Sequence, residues 1–464
     1  MRTSYKIIIA LGAGLLLQSC FTAKTYQRPE IKAENRYRTE IVAQDSASLA
    51  DVSWDKLFTD PVLQQHIKTG LQHNFDVRIA MQNIAASQAY LKQAKSAYLP
   101  SLAANATWTH QELAKNSQFG AFFNGSLDSY QLSANLSWEA DIWGKIRSNK
   151  RAANASYLQT IAANQAVMTQ VISNIAASYY QLLSLDAQLK VAEQTLGNRT
   201  ESIGVIQALK DAGNTNEVGV KQTEAQKYST ELIVADLKKN ITIQENALSL
   251  LLGESPRAVE RTTLEQQQLN PEIKLGYSSL LLRNRPDVIA AEYGLINAFE
   301  LTNVARSAFY PSLTLTATGG LQSIDLQKWF SANSVFANIV TGLAQPIFNQ
   351  RQIRTRYEVA KTQQEQAYIR FEQAVTTASR EVSDALANYN NETGKIAIRE
   401  KQVDALTTAA SYSDELLQYG MVNYLEVLTA KDNALNAQLQ LIDNKYQRFL
   451  SVINLYRALG GGWK

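Results

Sequence analysis

A single cysteine, Cys20, in 464 residues excludes a disulfide framework. Three histidines are too few for a persuasive imidazole metal centre; His66 and His73 share one helix face, where a solvated pair is the expected reading, and His110 stands apart. Lysine and arginine number 45 against 42 acidic residues, and no run of one sign gives nucleic acid a surface to grip. No stretch approaches 18 consecutive apolar residues, which excludes an ordinary membrane helix. It does not exclude a membrane β-barrel, whose signature is alternation over about ten residues. Gly12-Ala-Gly14 and Gly460–Gly462 lack the strand, helix and Lys-Ser/Thr context of a phosphate loop, and the second is expected to be a flexible helix end. With no cofactor motif and no cluster of catalytic side chains, the sequence does not read as an enzyme.

Proline is scarce and informatively placed. Only eight occur, and none falls in Ser101–Ser255 or Ile347–Lys464. Lys145 to about Leu209 and Arg351 to about Tyr419 therefore read as long helices, each on the order of 100 Å at 1.5 Å per residue. Gly213 and Gly420, 207 residues apart, mark reversals into return helices from about Val218 to Leu252 and Leu425 to Leu459. The last helix carries an apolar heptad stripe (Leu425, Leu428, Leu435, Leu439, Ile442, Tyr446, Phe449, Ile453, Tyr456) broken only by Asp432. Pro100 and Pro311 end helices that lead into strands.

The chain also repeats itself. AKSAYLPSL (Ala94–Leu102) returns 211 residues later as ARSAFYPSL (Ala305–Leu313), followed in each copy by strand-like alternation, a basic turn (GKIR, RQIR) and a long helix. Ser129–Glu139 sets Tyr130, Leu132, Ala134, Leu136 and Trp138 on one face and Gln131, Ser133, Asn135 and Ser137 on the other. Strands at about 101–110 and 312–321 alternate in the same way, and 334–344 does so poorly. Apolar residues outside and small polar ones inside suit a barrel in lipid with water within. Trp108, Tyr130, Trp138 and Trp143 are candidate membrane-interface aromatics, with ordinary packing as the alternative. Phe119, Phe122, Phe123, Trp329 and Phe330 fall in the hairpin loops, facing the exterior. Four strands cannot close, and open edges are forbidden in lipid, so the chain must oligomerise. Two copies give eight strands and a filled interior; three give twelve and a lumen.

The amino terminus reads as a secretory signal: Arg2 and Lys6, an apolar run Ile7–Leu17, then LQSC ending at Cys20. That ending resembles a lipobox, making Cys20 a candidate for lipidation and anchorage by acyl chains; a plain signal with an incidental cysteine is the alternative.

Longer motifs carry a specific resemblance. YQRP (Tyr26–Pro29), WDKLFTDPVLQQHI (Trp54–Ile67), EADIWGKIR (Glu139–Arg147), LLRNRPDVIAAE (Leu281–Glu292), PIFNQRQIR (Pro346–Arg354) and NLYRALGGGW (Asn454–Trp463) stand in the order and spacing of a known family. The chain resembles the TolC-type outer-membrane efflux proteins, in the NodT/OprM-like lipoprotein subgroup of multidrug efflux channels. The resemblance implies a mainly α fold with a membrane β-barrel part: duplicated helical hairpins forming a periplasmic helical barrel, plus four strands per chain contributing to a homotrimeric 12-stranded β-barrel. Its expected parts are a signal peptide at 1–19, a lipidated segment wrapping the equatorial region at 20–58, repeat 1 at 59–253, an equatorial connector at 254–285, repeat 2 at 286–459 and a tail at 460–464.

The resemblance also implies passive export of drugs or other small toxic compounds. The expected partners are a periplasmic adaptor (membrane fusion) protein, an inner-membrane pump of the RND type and outer-membrane lipid. Matching YLEVLTAKD (Tyr424–Asp432) to the family's constriction places Leu425, Glu426 and Thr429 at a periplasmic aperture. Leu425 also starts the heptad stripe, so packing is its alternative role. Hairpin tips at Asp211, Gly213, Asn214, Tyr419, Gly420 and Asn423 are expected to meet the adaptor. Two other readings stay open from sequence: an outlet for type I protein secretion, and a non-conducting lipid-anchored coiled-coil scaffold.

Overall fold

The computed structural model describes residues 23–30, 48–122, 126–268 and 280–463. Cys20 and Phe123, with parts of the expected N-terminal segment and connector, lie outside the described residues.

Local chemistry sets the helix boundaries. The Asp60 carboxylate accepts from the backbone N–H of Val62 (2.8 Å) and Leu63 (3.4 Å), and Pro61 fills the first helical position, where no N–H is needed. Helix α1 (Pro61–His73) passes through Asn74 into α2 (Phe75–Ser96). The Asn74 carboxamide accepts from Asp76 N (2.9 Å) and donates to the Leu251 carbonyl (2.9 Å), so one side chain starts a helix and fastens it to another. Strands β1 (Ser101–Glu112) and β2 (Ser126–Ala140) follow, then α3 (Lys145–Asp211) and α4 (Glu217–Leu251). The second copy runs α5 (Pro286–Ser307), β3 (Ser312–Ser323), β4 (Val335–Ala344), α6 (Gln352–Gln418) and α7 (Tyr424–Leu459). Helices α3 and α6 have 67 residues each, about 100 Å of helix.

The two reversals share one solution. Gly213 and Gly420 take φ of 77° and 65°, a region open to glycine at little cost. The next residue in each turn donates back five positions, Asn214 to Leu209 O and Met421 to Leu416 O, both at 2.9 Å. Asn216 and Asn423 then cap the return helices with their side-chain oxygens.

The chain divides into two compact units. One holds the four strands with the helix segments next to them and the described part of Met1–Glu30; the other is helical, built from the described parts of Ile31–Ile84, Thr160–Ala290 and Glu372–Lys464. In the helical unit the predicted stripe is core: Leu428, Leu435, Phe449, Ile453 and Tyr456 are buried, and Phe449 stacks on Tyr180 at 4.6 Å between ring centroids. Tyr179 donates to Asp60 Oδ2 (2.7 Å), and Thr262 (2.6 Å) and Gln267 (2.8 Å) donate to the same oxygen. Burial opposes the Asp60 charge, yet these donors outweigh it and hold the carboxyl below its ordinary value.

Two expectations are corrected in this unit. His66 is not half of a solvated pair: it is buried, its Nε2 lies 2.9 Å from the Glu260 carbonyl and its ring packs on Tyr179, while His73 is exposed. The connector covers that face of α1, a contact no helical wheel reveals. Gly460–Gly462 is not a loose end but a buried cap. Gly460 has φ of 93°, and a Cβ there would stand 2.5 Å from Asn284 O. Trp463 Nε1 donates to the same carbonyl at 3.0 Å.

Candidate functional site

The sheet has order β1-β2-β3-β4, antiparallel throughout. Its register collects side chains by chemistry. Leu102 faces Leu136, Ala106 faces Leu132 and Trp108 faces Tyr130; Leu136 faces Ala317 and Trp138 faces Leu315; Leu313 faces Leu343 and Ala317 faces Ile339. Because side chains alternate, these all lie on one dry face. Asn105, Thr107, Ser133, Asn135, Ser137, Thr314, Thr316 and Thr318 lie on the other, where Thr318 Oγ1 donates to Asn135 Oδ1 at 2.7 Å. The irregular fourth strand falls into line, with Val335, Ala337, Ile339, Thr341 and Leu343 completing the dry face. Leu102 and Ile339 are each 72% exposed. A sheet with a greasy exterior and a hydroxyl-lined reverse is built for lipid on one side and water on the other. Edges β1 and β4 have no partner strand among the described residues.

Three of the four candidate interface aromatics sit on that dry face. Trp108 and Tyr130 pair directly, the Trp108 indole donates to Asp128 (2.9 Å), and Trp138 donates to the Tyr98 carbonyl (3.0 Å). Trp143 is placed differently. It lies beyond β2, stacks on Tyr310 at 4.8 Å and donates to Pro311 O at 2.7 Å, so it packs the turn where strands pass into helices. Of the loop aromatics, Phe119 and Phe122 are exposed, and Trp329 and Phe330 pack on each other.

At the reversal into α7, Leu425, Glu426 and Thr429 form one exposed patch, while Val427 and Leu428 turn inward. Leu425 is 55% exposed, so burial of the stripe begins at Leu428. Asn423 Oδ1 accepts from Glu426 N (3.1 Å) and its Nδ2 donates to Glu426 Oε1 (2.9 Å), a reciprocal cap that aims the Glu426 carboxylate. The tip residues Asp211, Gly213, Asn214, Tyr419, Gly420 and Asn423 are exposed.

Sequence reasoning missed what fastens this patch. Arg199 on α3, 7% exposed, pairs with Asp432 on α7 and donates to Gln226 O (2.6 Å) and Thr230 Oγ1 (2.6 Å) on α4. Tyr424 engages Thr223 and Ser202, and burial pushes its phenol up. Both links tie the second hairpin to the first. The available signal was Asp432 itself, the charge that interrupts an apolar stripe.

The family model for outer membrane efflux proteins matches residues 67–254 and again 277–461. The chain belongs to that family. It is 28% identical over 462 residues to the cation efflux system protein CusC of Escherichia coli O157:H7, covering 98% of this chain and 99% of that protein. It is 29% identical to the solvent efflux pump outer membrane protein SrpC of Pseudomonas putida, covering 98% of each. The crystal structure of the open state of the MtrE outer membrane channel of Neisseria gonorrhoeae superposes with a TM-score of 0.85 at 26% identity, covering 96% of this chain and 99% of that one. The protein is thus an outer-membrane efflux channel, and its sheet is the part that meets lipid. Among the described residues no helix is long and apolar enough to cross a membrane.

Two motifs that carried the family resemblance now have physical roles. In RNRPD, Arg285 is buried and stays charged because Asp287 takes two of its N–H groups (3.0 and 2.6 Å), with Glu381 at 2.8 Å and Ala458 O at 2.9 Å. It joins the start of α5 to α6 and to the end of α7. In YQRP, Arg28 grips Glu292 with two hydrogen bonds (2.6 and 2.5 Å), Tyr26 meets Phe299 edge-on at 5.6 Å, and the Lys24 backbone both donates to and accepts from Asn303. The segment follows α5, its earlier residues toward the end that leads into β3.

Proposed function

We propose that three copies of this chain assemble into one conduit, a twelve-stranded barrel in the outer membrane continued by a periplasmic tunnel of helices. The observation that carries this is the sheet: two-faced, and open at β1 and β4. Each backbone N–H or C=O left unpaired in hydrocarbon costs several kcal/mol, so two open edges together would cost far more than the roughly 5–15 kcal/mol that holds a whole domain folded. Pooling strands from identical copies removes every edge, and three copies are the smallest set that leaves a lumen.

The conduit exports passively, fed through a periplasmic adaptor at the tips of the hairpins by an inner-membrane pump of the RND type, and it carries drugs or other small toxic compounds. Leu425, Glu426 and Thr429 line the periplasmic aperture. Their shared exposure beside a turn supports this, as does their tethering through Arg199, Asp432 and Tyr424. Glu426 then forms a ring of three carboxylates that favours cations. Cys20 carries acyl chains: it precedes Ala23 by three residues, and the segment from Ala23 onward begins beside Asn303 near the end of α5 that leads into the strands.

The test is purification from membranes followed by reconstitution. The expected result is an assembly three chains in mass that runs faster on gels before heating than after, and that conducts in a planar bilayer. A stable single chain, or a trimer with no conductance, would overturn the proposal. Deletion of the gene should lower the tolerance of the host to lipophilic drugs; unchanged tolerance to drugs with secretion lost would favour the protein-secretion outlet.

A further inference from the structure

The join between the two repeats inside one chain is a template for the join between chains. Sheet pairing and turn contacts fix how the copies correspond. Residues of β3 match those of β1 with an offset of 211: Leu99 N donates to Ser96 O at 2.9 Å, and Tyr310 N to Ser307 O at 3.1 Å. Residues of β4 match those of β2 with an offset of 207, because Ser101 pairs with Ser137 while Ser312 pairs with Ala344. The same 207 continues past the strands. Gly144 and Arg351 both take positive φ (75° and 65°), and Ser148 N to Gly144 O and Thr355 N to Arg351 O are both 2.9 Å. The repeats therefore agree through the paired strands and at the helix start, but not in the whole turn between them, where Gln350 takes φ of 54° and its counterpart Trp143 does not.

Within the chain, the second strand of copy 1 pairs with the first strand of copy 2: Leu136 with Ala317, Ala134 with Gly319, Leu132 with Leu321. We infer that β4 of one protomer pairs antiparallel with β1 of the next in the equivalent register, Leu343 opposite Ala106, Gly342 opposite Thr107, Thr341 opposite Trp108 and Ile339 opposite His110. This rests on the oligomeric conduit proposed above and specifies its seam.

The faces provide a check on the register. Leu343 and Thr341 belong to the dry face of β4, and Ala106 and Trp108 to that of β1, so those pairs put like face against like; Ile339 meets His110 where that face turns polar beside Asp128 and Glu112, and Gln111 stands opposite Asn338 on the wet side. A slip by one residue would turn every side chain of one strand to the wrong face. Beyond the strand, Trp143 donates across the internal join to Pro311 O; Gln350 holds the corresponding place but takes φ of 54°, so this contact does not carry over to the seam. One position must differ. At the internal join a Cβ on Gly320 would stand 2.0 Å from Leu132 O, whereas Thr109 occupies that place at the seam, so the strands there keep ordinary spacing.

Paired cysteines in the intact membrane protein test the register, because a disulfide forms only with Cα atoms about 4.4–6.8 Å apart. Ala106→Cys with Leu343→Cys, and Thr107→Cys with Gly342→Cys, are expected to yield covalently linked chains on non-reducing gels after mild oxidation, with single-cysteine variants staying unlinked. Ala106→Cys with Thr341→Cys or with Gln345→Cys samples slips of two residues. Linkage predominantly at either slipped pair, or at no pair in a protein that still migrates as a trimer, overturns the register while leaving the trimer intact. Migration of the unsubstituted protein as a single chain overturns the trimer itself.

Discussion

Removal of the Asp432 carboxylate is predicted to open the periplasmic end. Arg199 is 7% exposed and Asp432 29%, so the pair is asymmetric: the cation is the more deeply desolvated partner. Asp432→Ala strands that guanidinium with neutral acceptors only, Gln226 O and Thr230 Oγ1, both at 2.6 Å, and Gln226 Oε1 at 3.1 Å. Breaking a fully buried pair from one side costs about 3–5 kcal/mol. The partial exposure of Asp432 and the three remaining acceptors bring the figure here to about 2–3 kcal/mol. If the pair exists only while the second hairpin rests against the first, a loss of about 2 kcal/mol moves the closed-to-open ratio roughly 30-fold. Arg199→Met leaves a carboxylate already partly hydrated, at a cost of about 1 kcal/mol. The double variant Arg199→Met with Asp432→Ala removes both charges and should perturb gating less than Asp432→Ala alone, a coupling of about 1 kcal/mol or more. Open probability in planar bilayers reads all four proteins. Equal open probability in wild type and Asp432→Ala, or strictly additive single effects, would refute the reasoning.

Leu425→Ala combined with Glu426→Ala should raise single-channel conductance and weaken cation preference, and unchanged values in both would remove these residues from the aperture. Gly460→Ala meets Asn284 O and requires φ of 93°, so it should destabilise the helical unit by roughly 2–3 kcal/mol, read as a lower temperature of heat-induced loss of helical signal. Asp60 gives an acid-side prediction. Its carboxyl is held below its ordinary value in the folded chain, so its contribution is fully present above that value and is lost as pH falls through it toward the folded pKa. Asp60→Asn should flatten the fall in thermal stability between about pH 5 and pH 3, and a parallel slope in the variant would rule out this carboxylate as its source.

Much of the molecule was legible from local pattern. Alternation at Ser129–Glu139 fixes which face of that strand is greasy; proline-free tracts fix the long helices; Gly213 and Gly420 fix the reversals, because few other residues take positive φ without cost. These properties are encoded by neighbours two, four or seven positions apart, which a single sequence displays. The match between 94–102 and 305–313 likewise made the duplication plain.

The tertiary structure decided what depends on partners far along the chain. Nothing on its own helix shows that the Glu260 carbonyl, 194 residues away, covers His66. In sequence Asp432 only breaks a stripe; packing of α7 beside α3 shows that it answers a cation 233 residues away. Gly460 is required because the Asn284 backbone, 176 positions earlier, fills the space a side chain would need. Local sequence sets periodicity and backbone conformation, but the desolvation that gives a buried charge or a missing Cβ its meaning exists only once distant segments have been brought together.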